Sequence, residues 1–301
     1  MENPNLMKNK ELLSILACPV CKSPIRRNER KNMLVCTSCE RGYNFKIGIP
    51  VMLDEESKNK IEKERQKMEE GSIKSPLSSK LTRRLLAPLP YFWHEQDKKI
   101  ESIIQKLGSQ ATYLNVGSKA SRLIEGIINL DIDTFQNVTV VGNAHALPFI
   151  NDSIDCVFIM QVIEHLQNPF LAIKEIFRVL KNGGYVFALV PFLEGYHTYP
   201  SDYQRFSQTG VQELFSEFEN VELSVAAGPG STLSWIIREF IAVLFPFSNN
   251  KFVYSIIREI TGWLTFPFKY LDIIMSRKKY ASKIANSFFY LGKKTRETVD
   301  K

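Results

Sequence analysis

The chain has 301 residues with a net charge of +7 and a pI near 9.0, and its 44% hydrophobic and 24% charged residues are ordinary for a globular protein. The first residues lack the apolar core of a secretory signal, and no run of about 18 uncharged apolar residues occurs, which argues against export and against a simple spanning helix. We therefore expect a cytoplasmic protein with one large and one small domain. Its positive charge suits an anionic partner such as nucleic acid, a membrane face or a phosphorylated substrate.

Four of the five cysteines form two tight pairs near the start of the chain. Cys18 and Cys21 make one CxxC turn, and Cys36 and Cys39 make a second. A CxxC turn directs two thiolates at one point, and two such turns complete a tetrahedral zinc site with no open catalytic position. In a chain without an export signal, this spacing favours metal over disulfides. The sequence predicts structural Zn²⁺, with unligated cysteines in a small β unit as the alternative.

The sequence around these cysteines resembles a known family. LLSILACPVCKSPI, followed by LVCTSCERGYNFKIGIPVML, is similar to the zinc ribbon of small activator subunits that bind tRNA, rRNA and protein methyltransferases. The resemblance covers residues 10–54 and includes the distinctive GIPVML at 48–53. It implies that this module contacts a methyltransferase domain and performs no chemistry itself.

Residues 55–84 are charged and poor in large apolar side chains, and Gly71 and Pro76 interrupt them. This composition predicts a linker, with a solvated helix over 55–70, and a nucleic-acid contact is the alternative. The apolar and aromatic segment LLAPLPYFWHEQ, residues 85–96, is expected to pack on the large domain or to shape an entry to its pocket.

Strand and helix patterns alternate between residues 111 and 191. Residues 168–184 have apolar side chains at helical spacing and end in Asn-Gly-Gly, which predicts an amphipathic helix. Strands alternating with helices indicate a parallel, doubly wound sheet with ligands at the carboxyl ends of its strands. Apolar runs predict five strands, which begin within 111–118, 126–133, 137–149, 153–166 and 185–191.

Polar and small residues follow the first three of these strands. Gly117 and Ser118 form a turn in which the backbone can approach a ligand. Asp131, with Asp133 behind it, ends the second strand and can accept hydrogen bonds from ribose hydroxyls. Asn143 follows the third strand, where a polar side chain can meet an adenine edge. The pattern favours a nucleotide-type cofactor site, and an ordinary α/β sheet with unremarkable loops is the alternative.

Five segments of this region, in this order, resemble a class I S-adenosylmethionine-dependent methyltransferase of the type 11 family: NVGS, NLDID, GNAHALPF, SIDCVFIMQVIEHL and VLKNGGYVF. The resemblance spans about residues 108–225 and implies a seven-stranded sheet with the cofactor across the ends of strands one to four. Carried over by position, it implies that the methionine and ribose parts lie near Asn115, Gly117 and Ser118, the ribose on Asp131, the adenine near Asn143 and the backbone of Ala144, and the sulfonium near Gln161.

Two departures from the family pattern concern the cofactor. The usual first loop reads acidic residue, x, Gly, x, Gly, whereas here it runs from Asn115 through Gly117 to Lys119. The acid that usually meets adenine is Asn143. Loss of two carboxylates weakens recognition of the cofactor amines, although an amide still forms hydrogen bonds. A non-catalytic scaffold is therefore carried as an alternative.

The segment after the fifth predicted strand is rich in polar, aromatic and basic side chains. It leaves the catalytic end of the sheet, where a methyl acceptor should lie, and His197 or Asp202 could take a proton from an attacking hydroxyl. A loop that bonds to itself is the alternative. Glu164 and His165 are expected to order a helix start instead of acting as a base. The expected acceptor-binding residues, for a sugar, phosphate or carboxylate, are His197, Tyr199, Tyr203 and Arg205.

Residues 232–275 are dense in Trp, Phe, Ile and Leu, but the charges of two similar stretches, IREF and IREI, interrupt them. An interfacial membrane attachment fits this pattern, with the basic segments SRKKY and KKTRE near anionic headgroups. A helical cap or a homodimer interface would bury the same residues, and the sequence leaves these alternatives open.

Taken together, the patterns predict an α/β fold with a doubly wound, mostly parallel seven-stranded sheet. The expected activity is S-adenosylmethionine-dependent methylation of a sugar, glycan or lipid-linked acceptor at the inner membrane face. Methylation of RNA or a translation-related protein is the alternative, and it is less favoured because no aromatic-interleaved basic patch occurs. The expected units are a zinc ribbon at 10–54, a linker at 55–84, the methyltransferase domain at 85–230 and a helical extension at 231–301.

Overall fold

The computed structural model describes residues 9–71, 86–91, 94–119, 123–197 and 201–295, so Tyr199 lies outside the described residues. The N-terminal module is a short helix followed by an antiparallel meander in which each strand pairs with the next. Its apolar side chains alternate, so that Leu34 and Cys36 are buried and their neighbours are half-exposed. The elements are α1 (Asn9–Ile15), β1 (Ile25–Asn28), β2 (Met33–Cys36), β3 (Gly42–Lys46) and β4 (Ile49–Met52).

The main sheet begins with strands whose side chains are buried on both faces, as expected for parallel strands covered by helices. Its order is β7-β6-β5-β8-β9-β11-β10, and β11 is antiparallel to both of its neighbours. The predicted seven-stranded, mostly parallel sheet is confirmed. The strands are β5 (Tyr113–Val116), β6 (Ile128–Asp131), β7 (Val140–Gly142), β8 (Ile154–Met160), β9 (Leu180–Pro191), β10 (Glu219–Ala227) and β11 (Ser287–Lys293).

The N-terminal module joins this sheet directly. Strand β4 pairs in parallel with β7, with Val51 opposite Val141 and Met52 opposite Gly142. The sheet therefore continues without a break from these seven strands into the meander, giving eleven strands in the described chain. Met52 is fully buried in the main core.

Helices cover both faces of the sheet: α3 (His94–Leu107), α4 (Pro169–Val179), α5 (Gln208–Leu214) and a 3₁₀ turn (Ile163–His165). Helix α4 starts with Asn168 as its cap, which accepts a hydrogen bond from Leu171 N at 3.2 Å. It ends at Val179, earlier than the Asn-Gly-Gly stop at 182–184 had indicated. The reason is that Leu180 is extended and pairs with Ile154, so strand β9 begins where the helical pattern still continues.

Helix α2 (Glu55–Gly71) follows β4 almost immediately. It occupies part of the segment expected to be a linker. Its first turns lie against the loop after β7, where Asn143 Nδ2 donates to Ser57 Oγ at 3.0 Å. Lys60 Nζ also donates to Gln167 Oε1 at 2.5 Å, so this helix is attached to the main domain at two points.

An apolar helical insert separates the last two strands: α6 (Pro229–Leu244), α7 (Lys251–Thr265), a 3₁₀ turn (Phe266–Leu271), α8 (Asp272–Met275) and a second 3₁₀ turn (Ala281–Ile284). The region expected to be a helical extension thus returns to the sheet as β11. Among the described residues, no helix combines the length and apolar character needed to cross a bilayer.

The repeated Arg-Glu pairs join the two long helices of this insert. Arg238 Nη2 lies 2.6 Å from Glu259 Oε1, and Arg258 Nε lies 2.7 Å from Glu239 Oε1. The exchange is reciprocal because α6 and α7 run antiparallel across a short connection. The charges that interrupt the apolar pattern are therefore placed between the helices, and most of the apolar side chains face outward.

Candidate cofactor and acceptor site

The four N-terminal cysteines converge on one point. The Sγ–Sγ distances are 3.7 Å for Cys18–Cys39, 3.4 Å for Cys21–Cys36 and 3.6 Å for Cys21–Cys39. Four thiolates about 2.3 Å from a zinc ion in tetrahedral geometry lie about 3.8 Å apart, so this donor set fits zinc after a small expansion. The backbone N–H groups of Ser38 and Cys39 lie 3.4 Å from Cys36 Sγ and support a thiolate there.

A cleft opens at the carboxyl ends of β5, β6, β7 and β8, where the strand order reverses. It holds about 1140 Å³ of atom-free space, a figure that includes the open solvent at its mouth. Apolar walls formed by Ile132, Phe135 and Leu166 could enclose a base. Five residues that the sequence assigned to cofactor binding line this cleft: Gly117, Asp131, Asn143, Ala144 and Gln161.

The turn after β5 has left-handed backbone at both usual glycine positions, although the second of these is a lysine in this chain. Gly117 has φ +70°, and a Cβ built on it would lie 2.4 Å from Val162 Cγ2, so only glycine fits. Lys119 occupies the position of the usual second glycine and also adopts the left-handed region, at φ 48°. Its backbone N–H donates to Asp131 Oδ2 at 2.7 Å, which anchors the turn to the end of β6.

Asp131 is the acidic residue best placed to meet a ribose. It is almost fully buried, and its other oxygen accepts a hydrogen bond from Asp133 N at 3.4 Å. Burial raises the pKa of its carboxyl above the ordinary value, although the hydrogen bonds from the backbone oppose this shift. Each oxygen keeps a lone pair for a hydroxyl donor, so the residue fits the predicted role.

Two other predicted residues do not line the cleft, and Asn143, which does, is already hydrogen-bonded within the protein. Asn115 lies within the sheet and donates from Nδ2 to Asn129 Oδ1 at 3.1 Å, and it does not line the cleft. Ser118 is buried behind the turn and does not line the cleft either. Asn143 does line it, but its Oδ1 accepts from His145 N at 3.0 Å and its amide nitrogen donates to helix α2. Contact of these side chains with the cofactor stays a prediction.

Helix α2 closes one side of the cleft, a contribution that the sequence did not indicate. Ser57, Lys60 and Ile61 are among the lining residues. Their charged and polar surroundings in the sequence are typical of a solvated helix. One sequence feature could have indicated this contact. Only two residues separate the GIPVML strand from α2, and so short a connection keeps the start of the helix near the carboxyl end of that strand.

The loop after β9 is ordered by one ion pair. Arg205 binds Asp202 through both of its terminal nitrogens, and it also donates to the backbone carbonyls of Glu194 at 3.2 Å and Gly195 at 3.1 Å. Asp202 also accepts a hydrogen bond from His197 N at 2.9 Å. Burial raises the pKa of Asp202, but these hydrogen bonds outweigh it and hold that pKa below the ordinary value. Asp202 and Arg205 therefore shape the loop, and their predicted roles toward an acceptor stay predictions.

His197 faces a group of carboxylates at the edge of the cleft. Its pKa is raised, chiefly by the Glu164 carboxylate, while burial opposes the shift. Glu194, which the sequence did not single out, accepts a hydrogen bond from Gln161 Nε2 at 2.9 Å, and burial raises its pKa to about 7. Tyr203 borders the cleft, and its hydroxyl accepts a hydrogen bond from Gln167 at 3.0 Å. The structure thus brings the acceptor loop and the cofactor cleft together.

Comparison with known proteins agrees with both regions. A family model described as a methyltransferase domain matches residues 105–188, and one described as Trm112p-like protein matches residues 9–44. A UPF0434 protein of Methylobacillus flagellatus is 42% identical over 48 residues, which cover 16% of this chain and 80% of the relative.

Solved structures also match part of the chain. Phosphoethanolamine N-methyltransferase 2 of Haemonchus contortus, in complex with S-adenosyl-L-methionine, has a TM-score of 0.42 at 18% identity and covers 66% of this chain and 53% of its own. The [4+2]-cyclase SpnF has a TM-score of 0.41 at 14% identity, with coverage of 66% and 81%.

Proposed function

Since the chain is an S-adenosylmethionine-dependent methyltransferase that carries an N-terminal Trm112p-like module, we propose that it methylates a lipid-linked acceptor at an anionic membrane surface. The acceptor end would be a hydroxyl or similar group of a sugar or glycan. The observation that carries this proposal is the apolar insert of residues 229–286, which adjoins the acceptor side of the cleft and exposes many of its large side chains.

The cofactor supplies an activated methyl group on a positively charged sulfur, and its transfer needs the acceptor in line with that bond. In this chain Asp131 would hold the ribose, Gly117 would let the backbone approach, and the backbone of Ala144 would meet the base. Gln161, fixed by Glu194, would face the transfer point. Positioning can contribute most of the rate in such a displacement, so no strong base is required of the acceptor loop.

The insert reaches the acceptor loop directly. Strand β10 runs parallel to β9, so helix α6 starts at the carboxyl edge of the sheet, where the cleft also opens. Its Trp235 packs on the loop so closely that a Cβ on Gly195 would lie 1.8 Å from Trp235 Nε1. Tyr91 stacks on the same indole with ring centroids 6.4 Å apart. An acceptor whose tail rests on the insert would therefore present its polar end to this loop.

The outward face of the insert is too apolar for an ordinary water-facing surface. Phe247 is 81% exposed, Leu264 72% and Ile274 66%. Monomeric proteins rarely expose contiguous apolar patches of more than a few hundred Å², and larger ones mark interaction sites. Further exposed apolar side chains of the insert are Phe240, Val243, Leu244, Phe252, Ile260, Trp263, Ile273 and Ile284.

Basic residues border this face, and they favour a membrane over a neutral protein partner. Lys278 and Lys279 follow shortly after α8 and are exposed, and Lys283 lies one turn farther on. Lys279 and Lys283 both lie over the ring of Tyr280, at 5.6 and 4.9 Å. An apolar face bordered by cations matches the headgroup boundary of an anionic bilayer, where each surface lysine or arginine contributes about 1 kcal/mol.

Flotation with vesicles tests this attachment. The full chain should float with vesicles of phosphatidylcholine and phosphatidylglycerol and should float poorly with pure phosphatidylcholine. Leu264→Glu should lower the bound fraction severalfold, whereas Leu171→Glu, a matched change of an exposed leucine on α4, should not. Equal flotation of both variants, or no flotation of the unaltered chain, would contradict the proposal. A stable dimer by light scattering that Leu264→Glu dissociates would instead assign the face to a second copy.

The transfer itself is tested with radiolabelled S-adenosylmethionine. Label should pass into the organic phase of a membrane extract, and label in RNA or protein alone would contradict a lipid-linked acceptor. Asp131→Ala should weaken cofactor binding at least about tenfold, since hydrogen bonds to a charged group contribute about 1.5–3 kcal/mol. Calorimetric titration measures this directly, and an unchanged affinity would remove Asp131 from the site.

A further inference from the structure

A buried carboxylate beside the cleft faces two imidazole nitrogens without forming a hydrogen bond to either. Glu164 lies in the 3₁₀ turn after β8, its side chain is 0% exposed, and neither carboxylate oxygen has a hydrogen-bond partner among the described residues. Its Oε1 lies 3.8 Å from His165 Nε2 and 3.6 Å from His197 Nε2. A buried carboxylate without hydrogen bonds is costly unless a cation or a proton compensates it, and the two facing imidazoles make this a candidate cation site.

Hydrogen bonds on the far side of His165 decide which of its nitrogens is available. His165 Nδ1 lies 2.6 Å from the backbone carbonyl of Ser201, which can only accept. Nδ1 therefore carries the proton, and in the neutral ring Nε2 keeps its lone pair. That lone pair faces Glu164.

The same argument holds for His197. Its Nδ1 lies 3.1 Å from the carbonyl of Gly195 and 3.9 Å from carboxylate oxygens of both Glu194 and Asp202. The Arg205 guanidinium is also near Nδ1, but at 3.5 Å it is farther away than the carbonyl. The carbonyl is the nearest of these groups and favours a proton on Nδ1, and in that tautomer the Nε2 lone pair of His197 faces Glu164 as well.

From this geometry we propose that Glu164, His165 and His197 bind a divalent transition-metal ion of the zinc class. One donor atom from each residue lies within 4.8 Å of the others. Ligand atoms about 2.0–2.2 Å from a tetrahedral metal lie roughly 3.3–3.6 Å apart. The two carboxylate–imidazole separations, 3.8 and 3.6 Å, need a contraction of only a few tenths of an ångström. Carbonyls and carboxylates that fix each Nδ1–H are the usual outer support of metal-binding histidines.

Two histidines and one carboxylate leave at least one coordination position open, unlike the N-terminal zinc site with its four thiolates. His165 also lines the cofactor cleft, and the side chain of His197 is 32% exposed, which gives the metal a path of entry. The open position would bind an oxygen of the acceptor and favour loss of its proton. That last role rests on the proposed function, whereas metal binding does not.

Metal content of the purified full chain tests the site. After incubation with zinc and removal of the excess, mass spectrometry should find two equivalents of zinc per chain in the unaltered protein. His197→Ala and the isosteric Glu164→Gln should each retain one equivalent, held by the four cysteines. His145→Ala removes a histidine of the same cleft that faces away from the cluster, and it should retain two. The zinc that remains on the four cysteines and an unchanged melting temperature show that each variant is folded.

Cobalt distinguishes the two sites by their ligands. Added to protein whose four-cysteine site is filled with zinc, Co²⁺ should give the weak visible bands of nitrogen and oxygen ligation without sulfur charge-transfer bands. These bands should appear in the unaltered chain and in His145→Ala, and should be lost in His197→Ala and Glu164→Gln. One equivalent of metal in the unaltered protein, or a second equivalent that survives both variants, would overturn the proposal. If the unaltered protein binds only one equivalent, a proton at this cluster and not a metal compensates the buried carboxylate. Neither outcome depends on methyl transfer or on vesicle binding.

Discussion

Two additions extend the same methyltransferase sheet: the N-terminal module buries its apolar residues, whereas the C-terminal insert exposes many of them. The N-terminal module adds strand β4 beside β7 and buries Met52 completely in the common core. The C-terminal insert also starts at the sheet, but it turns Phe247 and Leu264 outward. In the first addition the protein itself covers the apolar surface, and in the second these side chains stay exposed.

The charged residues of the two additions also differ in where they lie. Between module and domain, Lys22 Nζ lies 2.7 Å from Glu175, which is also bound by Arg178 at 2.8 Å, so this pair helps attach the module. In the insert the paired charges of the two arginines and two glutamates lie between α6 and α7, and exposed lysines border the outer face. The comparison suggests that the module is part of the folded core, whereas the insert is a surface that the core presents.

Loss of zinc should produce the largest effect and should be confined to the N-terminal addition. Structural zinc contributes on the order of 10 kcal/mol in small zinc modules. Cys21→Ser should release the metal and remove hydrogen-exchange protection from residues 12–53, while β8 and β9 keep theirs. Cys156→Ala, at a cysteine in strand β8, is the control that should retain the zinc. Full protection of the module in zinc-free protein would contradict its dependence on the metal.

Truncation of one apolar residue in each addition sharpens the contrast. Met52→Ala should lower the free energy of unfolding by about 2–5 kcal/mol, because it leaves a cavity in the core. Leu264→Ala should change it by no more than about 0.5 kcal/mol, because its side chain is 72% exposed. Urea unfolding measures both values. Similar losses for the two variants would mean that the insert is covered within the chain.

The N-terminus of α6 depends on a carboxylate from later in the insert. Asp272 accepts hydrogen bonds from Gly228 N at 3.0 Å, Gly230 N at 2.7 Å and Ser231 N at 2.9 Å. Asp272→Ala leaves these buried donors unpaired and should cost about 2 kcal/mol. Limited proteolysis should then cleave within the insert first. Asp272→Asn should have a smaller effect, and cleavage beginning in the N-terminal module would contradict this assignment.

The smallest predicted effect concerns the contact between helix α2 and the cofactor cleft. Ser57→Ala removes the hydroxyl that accepts from Asn143, which should weaken S-adenosylmethionine binding by up to about tenfold without changing the zinc content. Calorimetric titration of Ser57→Ala and Asp131→Ala measures both affinities, and Asp131→Ala is expected to lose more affinity for S-adenosylmethionine. An effect of Ser57→Ala equal to that of Asp131→Ala would show that α2 is a main part of the binding site.

Several features of the site could be predicted because each depends on residues close in sequence. The CxxC spacing brings thiolates together within a turn, and an acid at the end of an apolar strand lies at the carboxyl edge of the sheet, where Asp131 lines the cleft. The first turn was harder to judge, because the sequence showed that a glycine was replaced but not that Lys119 keeps a positive φ. Asn115 was assigned to the cofactor by position, and the structure commits its amide to Asn129 within the sheet.

The sequence by itself determined the zinc ligands, the doubly wound sheet and its methyltransferase cleft, because local spacing and burial patterns carry that information. Only the tertiary structure decided that α2 closes the cleft, that residues 287–293 return as a strand, and that Glu164 meets His197 from another loop. Each of these depends on contacts between distant segments, where loop paths and packing choose among partners that the local pattern allows equally well.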